Sequence, residues 1–212
     1  KYQHPKNGFF SSIIKGIVIK IQNIILYIHG FSGSGLGSKA QAFTSYYQDK
    51  LFIAPSLSYV PDLAITTLCA MIESYIILDI NVHLIGSSLG GFYAKYLAQK
   101  YDINVVLINP AINADKTLVK FIGESPNFYD NSHFEWNQEH IEMLKKYQVN
   151  PVDINAKTLL LLQKGDALLN YKEAYRYYES IETCQTILED GGSHSFEKIE
   201  DKFHIIDKFF NN

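Results

Sequence analysis

The chain has 212 residues, a length that suits one domain able to bury roughly 70% of its unfolded surface. Hydrophobic residues make up 47% and charged residues 19%, with a formal net charge of -3, so a substantial core is available and no basic field exists to attract nucleic acid. Only Arg176 among the 19 basic residues is an arginine, which excludes a guanidinium cluster for phosphates.

Residues 1–23 read as an N-terminal extension. Phe9 to Ile21 is apolar but interrupted by Ser11, Ser12, Lys15 and Lys20, and no small-residue cleavage signal follows. It is read as an extra strand over Gly16–Ile21 in preference to a secretory leader. Beyond it, short β-branched runs alternate with longer helix-patterned segments, the rhythm of βαβ units and a parallel sheet. In chain order the expected elements are a strand at Ile24–Ile28, a helix at Ser38–Lys50, a strand at Leu51–Ala54 and a helix at Asp62–Tyr75. Then come a strand at Val82–Ile85, a helix at Leu89–Lys100 and a strand at Val105–Ile108. The strands are almost continuously apolar, as strands covered on both faces should be. No stretch has the length and purity of a membrane-spanning helix, since the longest apolar run, Ile24 to Ile28, is strand-sized.

Residues 111–150 break this rhythm. They hold Phe128, Tyr129, Phe134, Trp136 and His140 with no convincing strand. About forty residues between two strands suggest a small helical cap over the carboxyl ends of the sheet, where ligands bind, in preference to an ordinary crossover helix. The pattern resumes with a strand at Thr158–Leu162, a helix at Tyr171–Glu182 and a strand at Gln185–Leu188. A final helix at Phe196–Phe210 places Phe196, Ile199, Phe203 and Ile206 on one buried face. Cys69 and Cys184 form no CxxC or metal-like pair and read as buried free thiols of a reducing compartment.

The chemistry-bearing motif is Gly86-Ser87-Ser88-Leu89-Gly90, a Gly-x-Ser-x-Gly elbow between an apolar run and a helical segment. Ser88 is the candidate nucleophile, with the Ser87 side chain expected to point away. An activated serine needs a base, and the base an orienting carboxylate. Of the 7 histidines, His194 sits in a glycine loop directly after the last expected strand, whereas His204 lies inside the last helix. Asp166 follows the preceding strand and is favoured as the acid over Asp190, which is read as a turn residue. The backbone N–H of Leu89 and that of Phe31, in His29-Gly30-Phe31 after the first strand, are the expected oxyanion donors. His29 is read as shaping that loop. Phe92 and Trp136 are candidate walls of an apolar pocket. The run Gly33-Ser34-Gly35-Leu36-Gly37 has the wrong spacing for a dinucleotide loop.

Five segments in order resemble the YqiA-type esterases, a family of small single-domain α/β-hydrolases: Tyr27-Ile28-His29-Gly30-Phe31 with Ser38-Lys39-Ala40; Gly86 to Ala94; Asn109-Pro110-Ala111; Leu161 to Asp166; and Gly191 to Phe196. The resemblance covers residues 24–212 and leaves 1–23 outside. It implies an α/β-hydrolase fold, a Ser88, Asp166 and His194 triad, and a cytoplasmic enzyme that needs no cofactor or metal. The resulting expectation is a serine hydrolase of small acyl esters or thioesters, without nucleic-acid or membrane partners. Acyl transfer to an acceptor other than water and a silent binding protein of the same fold are the alternatives.

Overall fold

The apolar runs become the middle of one sheet. A computed structural model describes the backbone of residues 11–14 and 17–20 and all of residues 22–211. Strands β1 (Ser11–Ile14) and β2 (Ile17–Lys20) pair antiparallel as a separate ribbon. The strand expected over Gly16–Ile21 overlaps β2, while Gly16 and Ile21 themselves lie outside the described residues.

The main body runs β3 (Asn23–Ile28), α1 (Ser38–Tyr46), β4 (Leu51–Ile53), α2 (Pro61–Ile77), β5 (Asn81–Ser87), α3 (Leu89–Tyr101) and β6 (Val105–Ile108). After an insertion come β9 (Thr158–Gln163), α6 (Tyr171–Tyr178), β10 (Cys184–Glu189) and α7 (Phe203–Phe210). Six strands pair in parallel in the order β10-β9-β6-β5-β3-β4. Along β3 the side chains divide by the strand period of two. Ile24, Leu26 and Ile28 face a core shared with α2, α3 and α6, and Ile25 and Tyr27 face one shared with α1 and α7. Burial on both faces is why these strands read as unbroken apolar runs. Each such Ile or Leu contributes about 1.5–3 kcal/mol relative to exposure. The chain moves outward from β3 to β4 and then returns to β5 on the other side of β3. The crevice at this reversal lies between the carboxyl ends of β3 and β5, where ligand sites of open α/β sheets form.

The insertion contains α4 (Ala114–Thr117), a 3-10 turn at Leu118–Phe121, strands β7 (Gly123–Pro126) and β8 (His133–Trp136), and α5 (Gln138–Lys145). The expectation of a cap without strands is corrected here: β7 and β8 form an antiparallel hairpin. These strands are only four residues each, and what holds them is aromatic packing. Phe134 and Trp136 of β8 press edge-on against Phe31 at centroid distances of 5.6 and 5.0 Å. The hairpin also bonds the first βα loop through the Phe128 N–H to the Ser32 carbonyl at 2.8 Å.

The final helix is shorter than its periodicity suggests. Phe196, Ile199, Phe203 and Ile206 are all buried, but α7 starts only at Phe203, after positive-φ residues at Phe196 and Lys198. A 3-10 turn at Ile199–Lys202 leads into it, and the loop before that turn is pinned to the sheet. The Ser193 and Glu197 N–H groups donate to the Gln163 side-chain oxygen at 3.1 and 2.8 Å. Among the described residues no helix is long and apolar enough to cross a membrane, and Cys69 and Cys184 are half-buried and unbridged.

Candidate active site

β5 ends at Ser87 and α3 begins at Leu89, so Ser88 alone turns the chain. It does so at φ 57° and ψ -121°, a conformation that costs a non-glycine residue on the order of 1–3 kcal/mol. The surroundings hold it there. Its N–H donates to the Ile108 carbonyl at 3.1 Å, and its carbonyl accepts from Gly91, Phe92 and Ala111. Helix α3 can start so close to β3 only because residue 90 is glycine: a Cβ there would fall 2.0 Å from the Ile28 carbonyl oxygen.

The carboxyl ends of β5, β9 and β10 bring three distant side chains together. His194 Nε2 lies 3.0 Å from Ser88 Oγ, and His194 Nδ1 lies 2.8 Å from Asp166 Oδ2. The Asp166 side chain is 1% exposed and that of His194 24%, so the imidazole bridges a dry carboxylate and an open cleft. Asp166 Oδ1 accepts from the Leu168 and Leu169 N–H groups at 2.9 and 2.8 Å. Burial works to raise the Asp166 pKa, but the bonds from His194 and the two amides outweigh it and hold the carboxyl below its ordinary value. Asp190 stands apart, exposed and paired with Lys164 at 2.5 Å. His204 is exposed on α7.

The first βα loop passes directly over Ser88, since a Cβ on Gly30 would sit 3.1 Å from the Ser88 Cβ. Among the described residues the Phe31 and Leu89 N–H groups donate to no acceptor, and both residues line the cleft. His29 holds this loop. Its Nε2 accepts from the Leu57 N–H at 2.9 Å, which leaves Nδ1 to donate to the Gly30 carbonyl at 2.9 Å. Burial lowers the His29 pKa, so the neutral ring that this pairing requires is also the favoured one.

Two hollows flank the first βα loop, and Ser88 lines the larger of them. A crevice of about 60 Å³ is walled by His29, Phe31, Leu57, Leu89, Tyr93 and Phe134. A basin of about 520 Å³ is lined by Ser88, His194, Ser87, Lys39, Phe128 and Leu168 among others. Phe92 and Trp136 line neither, which corrects their expected place in the pocket. Both are 0% exposed. Phe92 packs under α3 in the main core, and Trp136 donates its indole N–H to the Leu118 carbonyl at 3.2 Å behind the Phe31 ring.

Three side chains that lie in the family-like segments, but to which the sequence assigned no role, shape the site. Asn109 donates to the Ser193 and His194 carbonyls at 3.0 and 3.3 Å and accepts from the Gln163 N–H at 3.0 Å. Gln163 binds the other edge of the same loop through Ser193 and Glu197. Together they clamp the segment that carries His194. The signal in the sequence was a polar residue directly after or ending an apolar strand, at a position 3% or 4% exposed in the fold. The third is Lys39, whose Nζ donates to Ser87 Oγ at 2.7 Å, so the Ser87 hydroxyl is engaged away from His194. Among the described residues no group of three or more His, Cys, Asp or Glu side chains could hold a metal ion.

A parallel sheet flanked by helices, with a serine at the turn after its central strand, is the α/β-hydrolase fold. The chain belongs to the family described as "Uncharacterised protein family (UPF0227)", whose model matches residues 24–211, in agreement with the resemblance to YqiA-type esterases. Several solved structures share the fold. Est1E from Butyrivibrio proteoclasticus is 13% identical, with a TM-score of 0.73 over 97% of this chain and 100% of that one. Alpha/beta hydrolase domain-containing protein 10 from mouse is 17% identical, with a TM-score of 0.72 over 89% of each chain. An esterase from Pyrococcus furiosus is 14% identical, with a TM-score of 0.66 over 90% of this chain and 82% of that one.

Proposed function

We propose that this protein is a serine hydrolase that cleaves carboxylic esters or thioesters through an acyl-enzyme. The observation that carries the reading is the hydrogen-bonded line from Asp166 through His194 to Ser88 Oγ, ending at a strained elbow beside two unengaged backbone N–H groups. Ser88 Oγ attacks the acyl carbonyl carbon while His194 Nε2 takes its proton. The carbonyl electron pair moves onto oxygen, where the Phe31 and Leu89 N–H groups donate to it. Collapse breaks the bond to the leaving oxygen or sulfur, which leaves with the proton from His194. Water then attacks the acyl-enzyme with His194 again as base, the acid departs and Ser88 regains its proton. Asp166, ionised throughout, keeps Nδ1 protonated and stabilises the imidazolium. The insertion walls the cleft with Phe134 on the crevice side and Phe128 on the basin side. Esterases and hydrolases among the proteins that share the fold support the reading.

The test is covalent labelling by a fluorophosphonate probe together with hydrolysis of 4-nitrophenyl esters and acyl thioesters of graded length. Wild type should be labelled and active. Ser88→Ala should lose both while melting close to wild type, because the hydroxyl contributes reactivity and little packing. Turnover that survives Ser88→Ala overturns the assignment of the nucleophile, and a wild-type chain that takes no label and cleaves no ester overturns the proposal in favour of a binding protein.

A further inference from the structure

We propose that the leaving group of the substrate carries a carboxylate, bound by the Lys39 ammonium in the basin beside Ser88; this rests on the hydrolase reading above. The geometry of proton transfer decides which part of the substrate lies where. His194 must deliver its proton to the leaving atom, so the leaving group occupies the side of Ser88 that His194 faces. That side is the basin: His194 and Ser88 line it and neither lines the crevice. The small crevice beside Phe31 and Leu89, about 60 Å³, then receives a short acyl part, and the basin of about 520 Å³ receives the larger leaving part.

Lys39 lines that basin next to the nucleophile. Its Nζ has three donors, and among the described residues one of them meets Ser87 Oγ while no carboxylate lies within ion-pair distance. Asp166 acts on it only through longer-range attraction, which fails to offset burial, and the ammonium pKa is pulled down to about 8. A half-buried cation without a counter-charge is costly unless something supplies one. The remaining basin-lining charges, Lys198 and Glu200, are exposed. Phe128 and Leu168, 73% and 54% exposed, offer apolar surface to the body of the leaving group. A carboxylate on that body would complete the Lys39 environment and be held by a charge-assisted hydrogen bond. The competing account makes Lys39 a strut from α1 to the elbow, with no part in recognition.

The experiment compares 4-acetoxybenzoate with its methyl ester, methyl 4-acetoxybenzoate, as the kcat/KM ratio of the charged to the neutral substrate. In Lys39→Met this ratio should fall on the order of 10- to 100-fold from wild type, the effect of one charged hydrogen bond. Differences in leaving-group basicity, and any general loss of activity, cancel in that comparison. Lys39→Arg should restore most of the ratio, which a strut role would not require. Inhibition of the wild type gives a second reading that needs no variant: 4-hydroxybenzoate should inhibit more strongly than methyl 4-hydroxybenzoate. An unchanged ratio in Lys39→Met, or equal inhibition by the two products, overturns the carboxylate site while leaving the hydrolase intact. Failure of the wild type to cleave either ester or to accept the fluorophosphonate would instead remove the hydrolase reading itself.

Discussion

Asp166→Asn removes one charge and tests the tautomer of His194. The two Asp166 oxygens have different partners: Oδ1 accepts from the Leu168 and Leu169 amides, and Oδ2 faces His194 Nδ1 at 2.8 Å. Asparagine must choose which end carries its amide oxygen. With the oxygen toward the two backbone donors, the –NH2 points at Nδ1, which can then only accept. The imidazole proton is forced onto Nε2, 3.0 Å from Ser88 Oγ, where a base is needed. The opposite flip keeps the tautomer but sets –NH2 against the Leu168 and Leu169 N–H donors, leaving the part-buried Leu169 amide without its acceptor, and it still lacks the charge that stabilises the imidazolium. Neither orientation restores function. The wrong tautomer in a comparable triad costs on the order of 10⁴-fold in kcat, about 5.5 kcal/mol in the barrier at 1.36 kcal/mol per decade. The assay is kcat on 4-nitrophenyl acetate, with thermal melting to verify folding. Asp190→Asn is the control. It breaks only an exposed ion pair with Lys164 and should leave kcat within about threefold. The reasoning is refuted if Asp166→Asn keeps more than a tenth of wild-type kcat, or if Asp190→Asn proves the more damaging change.

Trp136→Ala should destabilise the protein by about 3–5 kcal/mol, because a fully buried indole leaves a cavity and frees the Leu118 carbonyl. It should also reduce turnover by loosening the Phe31 ring, without a selective change in acyl-chain preference. Denaturant unfolding and a chain-length series measure both, and a loss under about 1 kcal/mol would contradict the packing account. The preference for a charged leaving group should be full well below pH 8 and fade as pH rises through the Lys39 value of about 8. The sign follows from the ammonium being the binding form and burial lowering its pKa. Ser87, Tyr27, Asp166, His194, Lys198 and Glu200 surround it. A charged-to-neutral ratio that stays flat from about pH 7 to about pH 9 would show that another group sets it.

What the sequence determined by itself is what short-range chemistry encodes. Strands buried on both faces have to be continuously apolar, so β3, β5, β6 and β9 were legible within a residue or two. The elbow at Ser88 was legible because a helix that starts against β3 excludes a Cβ at residue 90. Asp166 and His194 could be nominated because loops after parallel strands share one edge of the sheet. Contacts between segments far apart in the chain were decided only by tertiary structure. Lys39 reaches Ser87 across 48 residues, and Asn109 reaches the His194 loop across 84. A polar residue at the end of a strand looks locally the same whether it meets water or a distant backbone. Phe92 and Trp136 were misplaced for a related reason: an aromatic ring announces that it will be buried, not which side of a loop it will be buried on. The final helix starts late because Phe196 and Lys198 take positive φ in a loop pinned to the sheet by Gln163, which lies 34 residues from Glu197. Periodicity records which face of a segment is apolar, and it carries no information about a hydrogen-bond acceptor supplied by another strand.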